Sequence, residues 1–367
     1  MTKIIAVTGA TGQQGGAVVR IMLQESGWQV RALTRNASSD KAKALAAQGC
    51  QVVEANLSDE DSLAAAFEGA HAVFSMTSIA DHFFGGTKTQ EEAGKGEEED
   101  AMRTARAASR SLTLEHYIFS TLPHASRLSN GKYPVPHMDY KAIADERIRK
   151  ELPDLAAKMT SLFVAFYPSN FLGGPFKPTE IPGSGVRIFM LPTPKTTGIG
   201  ISGDMTVTPG IWVRQILANP TLTLGKYASV EIEYLTYAEM VNIWSKVTGK
   251  RVVYLEVTPE EYEEFWGLVG NEFSLQLKFN SFIGPNWTNL VKDKFVTKEQ
   301  LGIKASEAVG FRETLELLKS QLRFDSLRSP RDEPGRIDLD EEVKTVTKRS
   351  ILAKRVFEPA HKSSNAN

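Results

Sequence analysis

Short apolar runs and amphipathic segments alternate along the first half of the chain. The runs at 3–8, 28–34, 50–54, 71–76, 115–120 and 159–166 are rich in β-branched and aromatic residues, which predicts strands. Between them, 13–26, 40–48, 59–68, 97–111 and 138–151 carry apolar residues at helical spacing. Such alternation predicts right-handed βαβ crossovers and a parallel sheet. Runs such as Ala72-Val73-Phe74 and Tyr117-Ile118-Phe119 lack polar alternation, as strands covered on both faces should. The expected fold is α/β: a doubly wound Rossmann parallel sheet with a smaller, irregular α+β C-terminal lobe.

Beyond residue 166 the pattern breaks. Gly and Pro crowd 173–210, which suits loops over a cleft. Order resumes at 211–218 and at 235–248, where Met240, Ile243, Trp244 and Val247 form an apolar helical stripe read as core. Residues 251–257 read as a strand, 259–268 as an acidic helix and Phe311 to Phe324 as a last helix. From 325 the chain is polar and aperiodic, which predicts a tail. The expected division is a nucleotide-binding domain over 1–170, a substrate or partner lobe over 171–324 and a tail over 325–367. Asp81 to Asp100 contains Gly85, Gly86, Gly94, Gly96 and the run Glu97-Glu98-Glu99-Asp100. It reads as a solvated loop feeding the acidic first turn of a helix, or as a mobile flap near the strand ends.

The 367 residues carry a net charge of −1, which argues against a nucleic-acid groove or attachment to an anionic membrane. The single cysteine, Cys50, excludes an intramolecular disulfide and a cysteine-rich metal site, and it reads as packed at the start of a strand. No metal is expected. The chain opens into its first strand with no cleavable signal pattern, and no apolar run approaches a membrane span. The expectation is a soluble, cytoplasmic protein.

The candidate chemistry begins at Thr8-Gly9-Ala10-Thr11-Gly12-Gln13-Gln14-Gly15-Gly16. A strand ends in a glycine-spaced turn that opens a helix, which is the context of a dinucleotide fingerprint. Gly9 suits a left-handed turn, Gly12 lets the backbone approach a pyrophosphate, and Gly15 lets the helix pack on the strand. The helix N-terminus then offers N–H groups to phosphate. Strand two ends in Thr34-Arg35, with Ser38, Ser39 and Lys41 behind and no acidic residue at its end. A guanidinium there suits a 2′-phosphate, so the expected cofactor is NADP(H). Asn56 and Leu57 after strand three are placed to meet an adenine, and Asp59 reads as a helix N-cap. Ser75 to Ile79 ends strand four beside the nicotinamide half.

A carbonyl reductase of the short-chain type needs a Tyr four residues before a Lys on one helical face. Here Lys141 stands correctly after strand five and its Ser120-Thr121 end, but His137 occupies the Tyr position. Tyr140 lies about 100° away on the helix, and Tyr133 lies beyond Pro134 and Pro136. Three readings stay open: His137 donates the proton, Lys141 acts with a water or with the substrate's own hydroxyl, or Lys141 only binds the ribose. Phe163, Phe166 and Phe171 read either as core or as walls for an apolar substrate.

The glycine turn resembles the NmrA-like family of atypical short-chain dehydrogenase/reductases. So do Val30 to Asn36, Pro136 to Lys141, Met159 to Phe171, and Tyr237 to Lys250. The resemblance covers roughly 3–320. Where the family often has Arg and Pro in strand six, this chain has Phe163 and Ala165, and Pro168-Ser169 replaces an aromatic-Glu pair. The resemblance implies phosphate contacts from Gly9, Ala10, Thr11, Gly12, Gln13 and Gln14. It implies 2′-phosphate contacts from Arg35, Asn36, Ala37, Ser38 and Ser39, and adenine contacts from Asn56 and Leu57. The nicotinamide side would be met by Thr77, Ser78, Ile79, Lys141 and the turn Tyr167, Pro168, Ser169, Asn170. It further implies an NADP(H)-dependent oxidoreductase, reducing a carbonyl, imine or activated alkene of an apolar small molecule, with fungal specialised metabolism as a setting. The other role it implies is a redox sensor or transcriptional co-regulator that binds NADP(H) and a protein partner without turnover.

Overall fold

A computed structural model describes residues 2–83 and 89–323. The first half runs β1 (Lys3–Val7), α1 (Gln13–Met22), β2 (Trp28–Thr34), α2 (Asp40–Ala47), β3 (Gln51–Glu54), α3 (Glu60–Phe67) and β4 (Ala72–Ser75). It continues with α4 (Ala80–Phe83), α5 (Gln90–Ser109), β5 (His116–Thr121), α6 (Ala125–Leu128), α7 (Pro136–Glu151), α8 (Pro153–Ala157) and β6 (Met159–Val164). The second half holds β7 (Thr179–Glu180), β8 (Val186–Leu191), β9 (Gly198–Ile201), α9 (Thr208–Ala218), α10 (Pro220–Thr223), β10 (Tyr227–Val230) and β11 (Glu233–Thr236). It ends with α11 (Tyr237–Thr248), β12 (Arg251–Glu256), α12 (Pro259–Ile283), β13 (Phe295–Val296), α13 (Phe311–Leu317) and α14 (Lys319–Arg323).

The main sheet has eight parallel strands in the order β13-β10-β6-β5-β4-β1-β2-β3. The order reverses at β1 and β4, so their carboxyl ends flank the crevice where such sheets bind ligands. The expected doubly wound sheet is present, with two strands more than the alternating pattern showed. β10 pairs with β6, and β13 pairs with β10, so the chain returns to the first sheet after leaving it. β4, β5 and β6 are buried along their whole length, which explains their unbroken apolar character. α1 and α9 contribute to the core on one face, and α3, α5 and α7 to the core on the other.

The Gly- and Pro-rich stretch over 173–210 is more ordered than its composition suggests. β8 pairs in parallel with β12 and antiparallel with β7, and β9 pairs with β11. Behind these small sheets α11 buries Met240, Trp244 and Val247, the stripe read as core. Thr236 with Glu239 caps α11, and Thr258 with Glu261 caps α12, each pair satisfying the free N–H groups at the helix start. α12 runs well past the expected acidic helix and breaks at Gly267, where φ is +58°. Cys50 is buried just before β3. The tail expected from 325 lies outside the described residues. No described helix is long and apolar enough to cross a membrane.

Candidate functional site

The glycine turn is built as its spacing requires. Gly9 has φ +61°, and the Gly12 N–H donates to the Gly9 carbonyl at 2.9 Å. A Cβ on Gly15 would collide with the Gly9 carbonyl oxygen and lie 2.7 Å from the Thr8 oxygen, so α1 seats directly on the turn. No side chain caps α1 at Gly12, which leaves its first N–H groups facing the crevice. Thr8 ties this turn to the next strand end: Met76 N–H donates to its hydroxyl at 2.8 Å, and the hydroxyl donates to the Met76 carbonyl at 3.1 Å.

The residues expected along the phosphates and nicotinamide converge here. Ser120 Oγ donates to Gln14 Oε1 at 2.7 Å, and Gln14 Nε2 donates to Tyr167 Oη at 2.6 Å. Burial pushes the Tyr167 phenol up to about 12. Ser169 Oγ donates to Gln13 Oε1 at 2.9 Å, which joins the turn at Tyr167–Asn170 to the start of α1. Pro168, Ser169 and Asn170 begin a short 3₁₀ turn, Pro168–Leu172, with three residues separating it from the end of β6. Ala10 is buried in the turn, and Thr11 is partly exposed.

Lys141 reaches the end of β4. Its ammonium donates to the Thr77 carbonyl at 2.9 Å, to Thr77 Oγ1 at 3.1 Å and to Glu97 Oε1 at 2.5 Å. The Glu97 side chain is wholly buried, and its Oε2 has no hydrogen-bond partner among the described residues. Ser78 and Ile79 follow Thr77, and their carbonyls accept the first N–H bonds of α4.

Glu97 was not legible as a site residue, because Asp81 to Asp100 read as a solvated loop feeding the acidic first turn of a helix, or as a flap. The helix is present but begins at Gln90, well before the expected start at 97. Thr89 and Glu92 form a capping box, and α5 runs from Gln90 straight through the acidic run. Successive residues on a helix point about 100° apart, so the four acids spread over several partners, with Arg147 also 3.7 Å from Glu99. Glu97 faces Lys141, Glu98 meets Arg147 at 2.7 Å, Glu99 meets Arg106 at 2.8 Å, and Asp100 meets both His82 and Arg103 at 2.7 Å. Gly94 and Gly96 mark close packing rather than a loop. A side chain at Gly94 would strike the Tyr140 ring of α7, and one at Gly96 the His82 ring. Residues 84–88 of the expected flap lie outside the described residues.

His137 is engaged elsewhere. Its Nδ1 lies 2.7 Å from Glu272 Oε1, which also accepts the His137 N–H at 3.0 Å. The second oxygen of Glu272 accepts from Gln90 at 2.8 Å, so α12 bridges α5 and α7. His137 Nε2 has no hydrogen bond among the described residues. Beside this ring lie Phe273, with centroids 6.4 Å apart, and then Phe176, 4.9 Å further on. The three phenylalanines weighed as substrate walls do not gather. Phe166 and Phe171 lie in the lobe core with Phe189, whereas Phe163 packs on Tyr227 and Trp287.

At the adenine end, Arg35 is 70% exposed and pairs with Asp81 at 3.2 Å. So exposed a pair is weak and readily exchanged for a better anion. Asn36 Oδ1 accepts from Ser38, both N–H and hydroxyl, and Ser39 caps α2. The end of β2, expected to lack a carboxylate, has one beside it in space. Glu54 arrives from the end of β3, and its Oε2 accepts the Ala37 N–H at 3.1 Å. Register could have shown this, since Thr34 pairs with Glu54. Asn56 is exposed and folds over Ser58 in an Asx turn, Leu57 is half-buried, and Asp59 caps α3. No cluster of three or more His, Cys, Asp or Glu able to hold a metal occurs among the described residues.

Comparison with known proteins agrees with this architecture. The sequence matches the model of the NmrA-like family over residues 1–307. An NmrA-like family domain-containing protein of Dictyostelium discoideum is 30% identical over 290 residues, covering 78% of this chain and 90% of its own. The NmrA-like family domain-containing oxidoreductase FrzB of a Cladobotryum species is 30% identical over 275 residues, covering 71% and 77%. Among solved structures, NmrA, a negative transcriptional regulator in complex with NADP, superposes with a TM-score of 0.66 at 22% identity. That match covers 89% of this chain and 99% of the other, and it speaks to the fold.

Proposed function

The chain belongs to the NmrA-like family, and from that premise we propose that it is an NADP(H)-dependent oxidoreductase acting on an apolar small molecule. One observation carries this reading. The uncapped start of α1 and the ammonium of Lys141 stand at the carboxyl ends of two adjacent strands, β1 and β4. The first suits a pyrophosphate and the second a ribose and a developing negative charge. The residues fit the cofactor: Gly9 to Gln14 would line the phosphates, and Arg35 to Ser39 the 2′-phosphate. Asn56 and Leu57 would meet the adenine, and Thr77, Ser78, Ile79 and Tyr167 to Asn170 the nicotinamide end. When bound, NADPH supplies a hydride. Lys141 then steadies charge on a carbonyl, imine or activated alkene. Phe273, partly exposed beside His137, favours an apolar substrate. The name of the Cladobotryum relative supports an oxidoreductase, and specialised metabolism in a fungus is the setting we propose.

The second reading is a redox sensor with a protein partner and no turnover. It is favoured by the engagement of His137 with Glu272, which ties up one nitrogen of the residue in the usual acid's position. Deuteride transfer separates the two. Incubation with C4-deuterated NADPH and fractionated metabolites should give a product carrying one deuterium, seen by mass spectrometry. Tight NADPH binding with no labelled product across the fractions would favour the sensor, which requires different affinities for the two redox forms.

Arg35 sets the cofactor preference on this reading. Arg35→Ala should weaken NADPH by ~10-fold or more, the scale of a hydrogen-bonded charge pair, and leave NADH nearly unchanged. Equal losses for both cofactors in a fluorescence titration would remove Arg35 from the 2′-phosphate site.

A further inference from the structure

A cavity of about 330 Å³ lies beside α7, lined by Leu122 and Pro123 just past the end of β5 and by Phe163, Tyr227 and Trp287. The two flanks of α7 face different places. Lys141 reaches α5 and the end of β4, whereas Ala142, Asp145 and Glu146 line the cavity over β6 and β10.

The wall is aromatic. The Phe163 ring lies 5.7 Å from the Tyr227 ring and 5.9 Å from that of Trp287. The indole N–H of Trp287 donates to Glu231 at 2.9 Å, which fixes the plane of the ring. At the mouth, Leu290 is 48% exposed, an apolar side chain with little to cover it.

The charges around the cavity do not all cancel in place. Asp145 is buried and satisfied: Tyr227 donates to it at 2.6 Å, Arg149 at 3.1 Å, and Ser161 closely. Arg127 is held in a two-pronged pair by Glu146, at 2.5 and 2.8 Å. The rim then offers Lys292 and Lys294 against Asp293, all three exposed. Two ammonium groups against one carboxylate leave a single positive charge.

We propose that this cavity is a second small-molecule site, for a planar aromatic monocarboxylate of about two fused rings. The volume lies at the small end of ligand pockets, the partly exposed Trp287 ring supplies a stacking face backed by Phe163, and the rim supplies the counter-charge. The inference stands independently of the cofactor assignment. Its ligand would touch the same helix that presents Lys141, from the opposite flank.

The test uses the full chain and 2-naphthoate as probe, titrated by calorimetry and by ligand-observed NMR. Saturable binding at one site is expected, at about 1 mM or tighter for a molecule of this size. Trp287→Ala should weaken it ~10-fold or more by removing a stacking wall. The surface double variant Lys292→Ala/Lys294→Ala, which leaves the core untouched, should weaken it ~3-fold or more, and uncharged 2-naphthamide should bind weaker by a similar factor. Arg35→Ala and Lys141→Ala should leave naphthoate binding unchanged. Thermal midpoints establish that each variant is folded. No binding at millimolar probe overturns the proposal. So does unchanged affinity in a folded Trp287→Ala protein or in the double lysine variant. Loss of binding in Lys141→Ala would place the acid in the nucleotide crevice and overturn it equally.

Discussion

Replacing Glu97 by alanine should destabilise the protein by about 3 kcal/mol, the lower end of the cost of stranding one member of a buried ion pair. Lys141 sets the scale. Its side chain is 13% exposed, so its ammonium cannot turn fully into water when the carboxylate is removed. It would keep only the two oxygens of Thr77. Glu97→Gln should cost less, because an amide oxygen still accepts from the ammonium. The double variant Glu97→Leu/Lys141→Met should recover most of the loss, since it removes both charges and fills their volume. Urea unfolding of the four proteins measures this. A Glu97→Ala midpoint equal to that of the parent would show that water reaches the lysine and that the pair does not hold α5 to α7.

Gly15→Ala carries the other large effect. The added methyl would press on the Gly9 carbonyl and on the Thr8 oxygen, and both are backbone atoms that cannot swing aside. α1 must lift from the turn, at an expected cost of about 2 kcal/mol, typical of overpacking. The lift also withdraws the first N–H groups of α1 from the phosphate position, so NADPH affinity should fall ~10-fold or more. Gly16→Ala is the matched control. Its methyl would meet the Ala10 oxygen at 3.5 Å, an ordinary contact, so it should be neutral or slightly stabilising. Equal behaviour of the two variants, in thermal unfolding and in NADPH titration, would rule out the close seating of α1.

The parts of this fold visible in the sequence are those with a local cause. Gly9 and Gly15 report a turn whose geometry favours glycine, and β4, β5 and β6 report burial on both faces. Lys141 was visible because helical spacing fixes where it points. Glu97 was hidden because the four consecutive acids read as the solvated first turn of a helix, whereas the helix begins at Gln90 and carries them inside its span, each turned a different way. β10 and β13 were hidden because they are short and lie outside the strand-helix alternation that marks β3 and β4. Glu54 was hidden because its approach to Ala37 depends on strand register, which no single segment contains. The aromatic wall beside α7 draws Phe163, Tyr227 and Trp287 from three distant stretches, and only the folded chain assembles it.

The return of β10 and β13 to the first sheet bears on how the chain is made. A nascent polypeptide that has emerged only to residue 170 holds β6 as a bare sheet edge, although all six of its residues are buried in the finished protein. An uncovered apolar edge invites pairing with another chain. Tyr227 closes that edge only after some sixty more residues have been synthesised, and Val296 covers β10 in turn later still. Contacts this far apart in sequence make for slow folding. The interval between β6 and β10 on the ribosome is therefore the period in which this protein most needs shielding from its neighbours.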